Sequence, residues 1–584
     1  MLRTHHCGEL RKGDVGQEVT LCGWVDTRRD HGGLIFIDVR DRWGVTQTVF
    51  NPAVSKELHR KAEELRSEYV VQVKGKISER PTGTENTKLP TGQIEIVAAE
   101  LEILNTSPTP PFEISGNESL SEEIRLKYRF LDIRRPAMMK NLTTRHKVTQ
   151  IAREYFNNLQ FIEVETPYLT KSTPEGARDF LVPARLAPGQ FYALPQSPQL
   201  FKQILMVSGM DRYFQIVRCF RDEDLRADRQ PEHTQIDVEM SFVTEDDILG
   251  VIENLMKTVV KGVLGLEVKT PFVRMPYDEA MNRYGSDKPD LRFGMKLHEV
   301  TDILKGSQSK IFEESFAKGG VAKAILVPGA ATYSRKDLDD LTQYAKDFGA
   351  QGLAWFKIQD EVESPIRKFF SEDQMKRLAA ELNAEKGSLI LVVAGEWKMV
   401  CTVLGALRLH LSQKLNLIPR GQVSLHWVVD FPLFEWNEEE KRIQACHHPF
   451  TSPQDKDVHL LESEPLKARA RAYDLIFNGT EAGGGSIRIH RRDTQKKVFQ
   501  ILGIQDQDAE EKFGFLLKAL EFGAPPHGGI ALGLDRLTAL LLGLDSIREV
   551  IAFPKTQKGI CPLSQAPSPV SPRQMKELHL AFKG

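Results

Sequence analysis

Apolar and polar residues alternate in short runs over the first hundred positions, and the rhythm lengthens afterwards. Val19–Val25, Leu34–Arg40, Val45–Phe50, Tyr69–Ile77 and Ile94–Ala98 read as strands, with Gly, Pro and Asp in the turns between them. Lys56–Leu65 interrupts them with a helical spacing. Within the second run Ile35, Ile37 and Val39 fall on one face, leaving Phe36, Asp38 and Arg40 on the other. Farther along, Arg145–Leu159 and Pro198–Ser208 read as amphipathic helices, and Tyr213–Cys219 and Thr234–Phe242 as apolar strands. Ala324–Pro328 and Gly352–Ile358 read as strands, and Ser334 stands where it can cap a helix running to Asp347.

These elements divide the chain. Five strands with one helix predict a small Greek-key β-barrel of the OB type over 1–105. The stiff stretch Thr106-Ser-Pro-Thr-Pro-Pro111 opens a hinge over 106–140. Mixed α/β character fills 141–286 and returns over 421–557, so the compact α+β stretch 287–420 reads as an inserted domain. The proline-dotted 558–584 reads as a C-terminal extension on the surface. There is no internal repeat. Neither Gly-x-x-x-x-Gly-Lys-Ser/Thr nor a strand followed by Gly-x-Gly-x-x-Gly occurs, so nucleotide binding, if present, must rest on side chains.

A chain of 584 residues is too long for one core, and 41% apolar with 27% charged residues is ordinary globular usage. No run approaches the roughly twenty apolar residues of a membrane span. The N-terminus lacks the apolar stretch of a secretion signal, and a cytoplasmic protein with no membrane partner is expected. The six cysteines form no Cys-x-x-Cys pair, which suits a reducing compartment. Cys446-His447-His448 is the nearest thing to a metal cluster, but adjacent side chains diverge and no second pair of ligands is evident, so zinc is not expected. With a net charge of −2, any nucleic-acid surface must be a local basic face.

Three stretches carry candidate chemistry. Phe161-Ile-Glu-Val-Glu-Thr-Pro-Tyr-Leu169 alternates apolar and acidic residues and stops at Pro167. From Arg218 to Glu239 a strand ends in Phe220-Arg221-Asp222-Glu223, a charged loop follows, and a second strand places Gln235, Asp237 and Glu239 on one face. That face either points to solvent or meets a polar ligand. Gly528-Gly-Ile-Ala-Leu-Gly-Leu-Asp-Arg-Leu-Thr538 is a glycine-rich strand running into a helix that starts with Arg536, where a guanidinium could clamp a phosphate or stack on a base.

In this order the three stretches resemble motifs 1, 2 and 3 of the class II aminoacyl-tRNA synthetases. Thr173–Asp179, Gln196–Lys202, Phe348–Ala354 and Gly483–Arg488 narrow the resemblance to the bacterial-type aspartyl branch, over essentially the whole chain apart from the tail. The resemblance implies a catalytic domain built on an antiparallel sheet, a GAD-type inserted domain, an anticodon-binding barrel, and a homodimer through motif 1. It implies ATP as substrate with Mg2+, aspartate as the amino acid and tRNA(Asp) as acceptor. Arg221, Arg536 and Glu481 would be catalytic. ATP would also meet Asp222, Glu223, Gln230, Gly533, Leu534 and Asp535. Aspartate would be held by Glu175, Ser197, Gln199, Lys202, Arg221, Asp237, His447 and Arg488. Asp474 and Glu481 would carry the metal, although their spacing also fits two turn residues, and His447 also fits a plain surface-loop histidine.

On the barrel an exposed Phe36 flanked by Arg28 and Arg29 suits stacking and phosphate contact with an unpaired anticodon, or else packs beneath a loop. The resemblance adds Arg29, Gln47 and Glu95 as anticodon contacts. His31 and Gly83 resemble forms that accept both tRNA(Asp) and tRNA(Asn), and such an enzyme would need an amidotransferase downstream. A strictly tRNA(Asp)-specific enzyme, a lysyl or asparaginyl relative, and a non-catalytic RNA-binding protein with a degenerate synthetase core are the alternatives.

Overall fold

The computed structural model describes residues 1–116, 119–173, 177–419 and 421–581. The chain forms two compact units: 1–143 with 548–556 and 560–568, and 144–547 with 557–559 and 569–584.

The first unit holds a closed five-stranded barrel of β1 (Glu18–His31), β2 (Leu34–Arg40), β3 (Val45–Phe50), β4 (Val70–Glu79) and β5 (Ile94–Asn105), ordered β1-β2-β3-β5-β4. Helix α1 (Lys56–Glu63) follows β3, capped by the Ser55 hydroxyl. Gly32 and Gly33, both at positive φ, make the two-residue turn between β1 and β2. Ile35, Ile37 and Val39 are fully buried, as their alternation predicts.

The opposite face of β2 departs from expectation. Phe36 is half-buried rather than exposed, and Asp38 and Arg40 are buried. Residues outside β2 supply the cover: Arg40 pairs with Asp26 at 2.7 Å and with Glu68, while Asp38 pairs with Arg29 at 2.9 Å. Beyond the barrel, Phe112, Ile114 and Leu131 form a small apolar cluster. Nearby in sequence, buried Arg129 donates to the carbonyls of Arg548, Ile551 and Ala552.

The second unit is organised on an eight-stranded sheet. Its central strands are β6 (Arg212–Phe220), β7 (Glu232–Ser241), β8 (Ala472–Phe477), β9 (Thr480–Ile487) and β10 (His527–Gly533), in the order β8-β9-β10-β7-β6. Neighbours within this set are antiparallel. Leu425–Val429 pairs with β8 and is followed outward by Val273–Pro276, while Ile162–Glu163 lies beside β6 at the other edge. Only those two edge pairings are parallel within this sheet.

Its core takes Val148, Ala152 and Phe156 from helix α2 (Pro136–Asn158). It takes Ile248, Leu249, Ile252, Leu255, Met256, Val259 and Val260 from a further helix, Glu245–Leu264. That spacing is the apolar stripe of a buried amphipathic helix. Between residues 297 and 414 stands a separate antiparallel five-stranded sheet with its own apolar clusters. There Ser334 caps the helix Arg335–Asp347, as its position predicts. No helix among the described residues is long and apolar enough to cross a membrane.

His426, on Leu425–Val429, is buried with neither ring nitrogen hydrogen-bonded. Burial pushes its pKa from 6.5 down to about 4. An unfolded histidine therefore takes up a proton in a range where the folded one does not, and stability falls as pH drops from 6.5 towards 4. Between pH 7 and pH 5 the wild type is expected to lose about 2 kcal/mol more than His426→Leu, measured by urea unfolding. Equal losses in both proteins would sink the assignment.

Candidate active site

Strand β7 puts Asp237 and Glu239 on one face, and both are fully buried. Two cations meet them there. Lys202, from helix α3 (Gln199–Val207), bonds Asp237 and lies 3.1 Å from Glu239 Oε2. Arg488, just past β9, makes a fork to Glu239 with Nε at 2.9 Å and Nη2 at 3.1 Å. Its Nη1 reaches Ser486 Oγ and His448 Nε2, each at 2.7 Å. Burial pushes the Glu239 carboxyl up, but Arg488 and Lys202 outweigh it and hold it at about 2. Burial lifts the Asp237 carboxyl above its ordinary value against the pull of Lys202.

A count of donors is informative. An ammonium has three N–H groups and a guanidinium five. After these bonds one N–H on Lys202 and one on Arg488 have no protein acceptor among the described residues. Asp237 Oδ2, Gln199 Nε2 and His447 Nδ1 are also buried without partners. Ser197 Oγ accepts the Gln199 backbone N–H at 3.3 Å. All these residues line one cavity of about 810 Å3. Unsatisfied buried donors and acceptors of both signs suit a small zwitterion with an extra carboxylate.

The same cavity continues past Arg221, Glu223, Gln230, Glu481, Gly533, Asp535 and Arg536. No ion pair engages the Arg221 side chain among the described residues. Arg536 donates to the Glu481 carbonyl at 2.9 Å and stands 3.6 Å from Asp228. Burial, then Arg221 and Arg536, push His233 down to about 3, so both guanidiniums act on one imidazole. Glu223 pairs with Arg229 at 3.0 Å.

Asp535 does not present a free carboxylate. It accepts the Thr234 N–H at 2.8 Å and bonds Arg145, so it braces the helix Leu534–Leu542 that carries Arg536. Leu534 is buried in the core, and Asp222 lies outside the cavity, 3.7 Å from Arg178. Glu175 falls outside the described residues.

Asp474 on β8 and Glu481 on β9 form a like-charged pair. The Asp474 charge, and then burial, raise the Glu481 carboxyl above its ordinary value. A Cβ on Gly484 would stand 2.7 Å from Asp474 Oδ1 and 3.6 Å from Glu481 Oε1, so glycine keeps the space beside both carboxylates clear. Two carboxylates facing one space fit a hard divalent ion that takes its remaining ligands from water and phosphate. No group of three or more metal-ligating side chains occurs among the described residues. Burial pulls His447 down, but Asp474, 3.6 Å away, and Glu481 raise it overall. Its neighbour His448 is the imidazole that touches Arg488.

Glu239 and His448 were not singled out as site residues from sequence. Glu239 shares the alternation of Gln235 and Asp237 and is legible on that ground; His448 stands out in sequence only as part of Cys446-His447-His448, which does not point to Arg488. Gly483, Gly484, Gly485 and Gly533 form a glycine-rich floor to the cavity. Behind that lining, a Cβ on Gly529 would collide with the Val238 carbonyl and the Glu239 carboxylate, so only glycine lets Glu239 lie there.

On the barrel of the first unit, Arg29 Nη2 donates to Asp38 Oδ1 at 2.9 Å and Gln47 Oε1 at 3.0 Å, and Gln47 Nε2 donates to Glu95 Oε2 at 2.8 Å. Phe36 stands opposite Arg29 in the strand register. His31 is exposed beside the two-glycine turn, and Gly83 sits at φ +88 in an exposed segment.

A family model for class II tRNA synthetases (D, K and N) matches residues 121–557, and one for an OB-fold nucleic acid binding domain matches residues 19–104. The chain belongs to the class II tRNA synthetases. Within that class it is 58% identical over 585 residues to the aspartate–tRNA(Asp/Asn) ligase of Persephonella marina, covering 99% of this chain and 97% of that one. It is 56% identical over 591 residues to the aspartate–tRNA(Asp/Asn) ligase of Aquifex aeolicus, covering 99% and 98%. The asparaginyl-tRNA synthetase of Pyrococcus horikoshii complexed with asparaginyl-adenylate superposes with a TM-score of 0.60 over 95% of this chain and 99% of that one. At 21% identity that likeness concerns the fold.

Proposed function

We propose that the chain is an ATP-dependent aspartate–tRNA ligase that charges both tRNA(Asp) and tRNA(Asn). The open N–H groups of buried Lys202 and Arg488, beside the unpartnered Asp237 Oδ2, carry this reading. The two cations take the side-chain carboxylate of aspartate, and Asp237 takes its ammonium. An amide in place of that carboxylate would leave buried charge uncompensated, which disfavours asparagine; a lysine ammonium would be repelled.

The α-carboxylate oxygen of aspartate attacks the α-phosphorus of ATP. A carboxyl–phosphate anhydride forms, the bond to the β-phosphate oxygen breaks, and pyrophosphate leaves with that electron pair. Arg221 neutralises the α-phosphate, Arg536 the γ-phosphate side, and Glu223 and Gln230 hold the adenine side. Mg2+ held by Asp474 and Glu481 would neutralise phosphate charge. A ribose hydroxyl at the tRNA terminus then attacks the anhydride carbonyl; the ester forms, the carbonyl-carbon to phosphate-oxygen bond breaks, and AMP leaves, its phosphate oxygen taking the hydroxyl proton.

Arg29, Phe36, Gln47 and Glu95 contact the anticodon in this reading, and His31 with Gly83 tolerates either tRNA. The Asp/Asn names of the relatives support that over strict tRNA(Asp) specificity. A cytoplasmic homodimer acting ahead of an amidotransferase completes the proposal. The test is charging of purified tRNA(Asp) and tRNA(Asn) with labelled aspartate, where comparable rates are expected and negligible tRNA(Asn) charging would refute dual use. His31→Leu is expected to lower kcat/KM for tRNA(Asn) about tenfold relative to tRNA(Asp), a difference of about 1.4 kcal/mol.

A further inference from the structure

The helix Trp397–Lys414 of the inserted segment begins at the wall of the cavity. Its first turn is held firmly. The Glu396 carboxylate accepts the backbone N–H groups of Lys398 at 2.9 Å and Met399 at 2.8 Å. The Trp397 indole N–H donates to Asn282 Oδ1 at 2.9 Å, on the helix Tyr277–Tyr284. Farther along, a Cβ on Gly405 would overlap the Gly285 carbonyl, so the two backbones are in close contact there.

From this anchored turn Lys398 Nζ reaches Glu435 Oε2 at 2.8 Å. The other oxygen of Glu435 accepts Gln444 Nε2 at 2.9 Å, and the two residues face each other across the hairpin Phe434–Asn437 and Arg442–Ala445. The second hairpin strand runs directly into Cys446, His447 and His448. Those histidines meet Asp474 and Arg488 at the amino-acid end of the site. Lys398, Glu435, Cys446, His447 and His448 all line the cavity. The mechanism above leaves Lys398 and Glu435 without a role.

We propose that Lys398 is a positioning residue, which through Glu435 and Gln444 holds the loop carrying His447 and His448 and so shapes the aspartate end of the site. The inserted segment thereby acts on amino-acid binding without touching the substrate. This inference rests on the proposed aspartate-activating function. The bond to Glu435 raises the Lys398 pKa, so the ammonium stays charged throughout the neutral range. The side chains of the pair are 59% and 36% exposed, and exposed pairs contribute little to folding. Loss of the pair is therefore expected to alter loop placement rather than overall stability.

The experiment is aspartate-stimulated ATP–pyrophosphate exchange by the full chain and its variants. Lys398→Ala is expected to raise KM for aspartate about three- to fivefold, the range of an exposed ion pair. KM for ATP and kcat stay within about twofold, because only amino-acid binding is disturbed. Glu435→Gln, which keeps the side-chain shape, gives the same rise, and adding Lys398→Ala to it adds nothing further. Lys398→Arg restores the wild-type KM. Unchanged KM for aspartate in both single variants, an equal rise in KM for ATP, or no restoration by arginine overturns the inference while leaving the proposed function standing. A wild-type enzyme without aspartate-dependent exchange overturns both.

Discussion

Arg488→Met is expected to lower kcat/KM for aspartate in ATP–pyrophosphate exchange by about 10³, since truncating one partner of a buried charge pair costs some 2–5 kcal/mol. Three losses coincide at this position. The ligand carboxylate loses a charged donor, Glu239 loses its fork, and His448 loses the N–H that meets its Nε2. Arg488→Lys keeps a charge but not the planar geometry, so it should recover only part of the loss. Thermal unfolding should also shift, because Glu239 would remain buried with Lys202 as its one cation. Wild-type KM for aspartate in Arg488→Met would refute the assignment outright.

Arg221→Ala is expected to lower kcat about 10²- to 10³-fold, as removal of one preorganised transition-state donor does. Equilibrium binding of aspartate, followed by calorimetry, should weaken far less than kcat falls, because Lys202 and Arg488 remain to hold the side-chain carboxylate. Arg221 is the sharper choice of the two arginines, because it makes no ion pair among the described residues, whereas Arg536 also holds the Glu481 carbonyl. Its loss should therefore leave the fold intact. A variant with undiminished kcat would remove Arg221 from the chemistry.

Much of the barrel was legible because period two is a local property. Strands β2 and β3 begin and end where their alternation does, β1 runs past its own into the polar stretch Asp26–His31, and β5 continues beyond Ala98 through Leu101 and Ile103 to Asn105. The failures came where partners are distant. Arg40 looks like a surface residue in its own strand and is buried only because Asp26 and Glu68 come to it. Glu239 and Arg488 lie 249 residues apart, so no window on the chain reveals their fork. The helix Glu245–Leu264 has local signals of its own, a cap at Thr244 and a regular apolar stripe. Its contact with the sheet, through Glu253 and the Trp427 indole at 2.9 Å, is again remote in sequence. The motif residues Arg221, Glu481 and Arg536, expected at one site, do line one cavity, whereas the bracing duty of Asp535 depends on the Thr234 amide and Arg145 beside it.

The glycine floor has a bearing on how this pocket can change over generations. A side chain at Gly484 would meet the Asp474 carboxylate, so a mutation there can only intrude and cannot enlarge the pocket. Any drift towards another amino acid must pass through the walls, where Lys202, Asp237, Glu239 and Arg488 share their bonds and no single replacement leaves the others satisfied. Such a lineage has few one-step neighbours with a working site. Under the proposed role of His31, altered acceptor preference can by contrast be reached through an exposed residue beside the two-glycine turn.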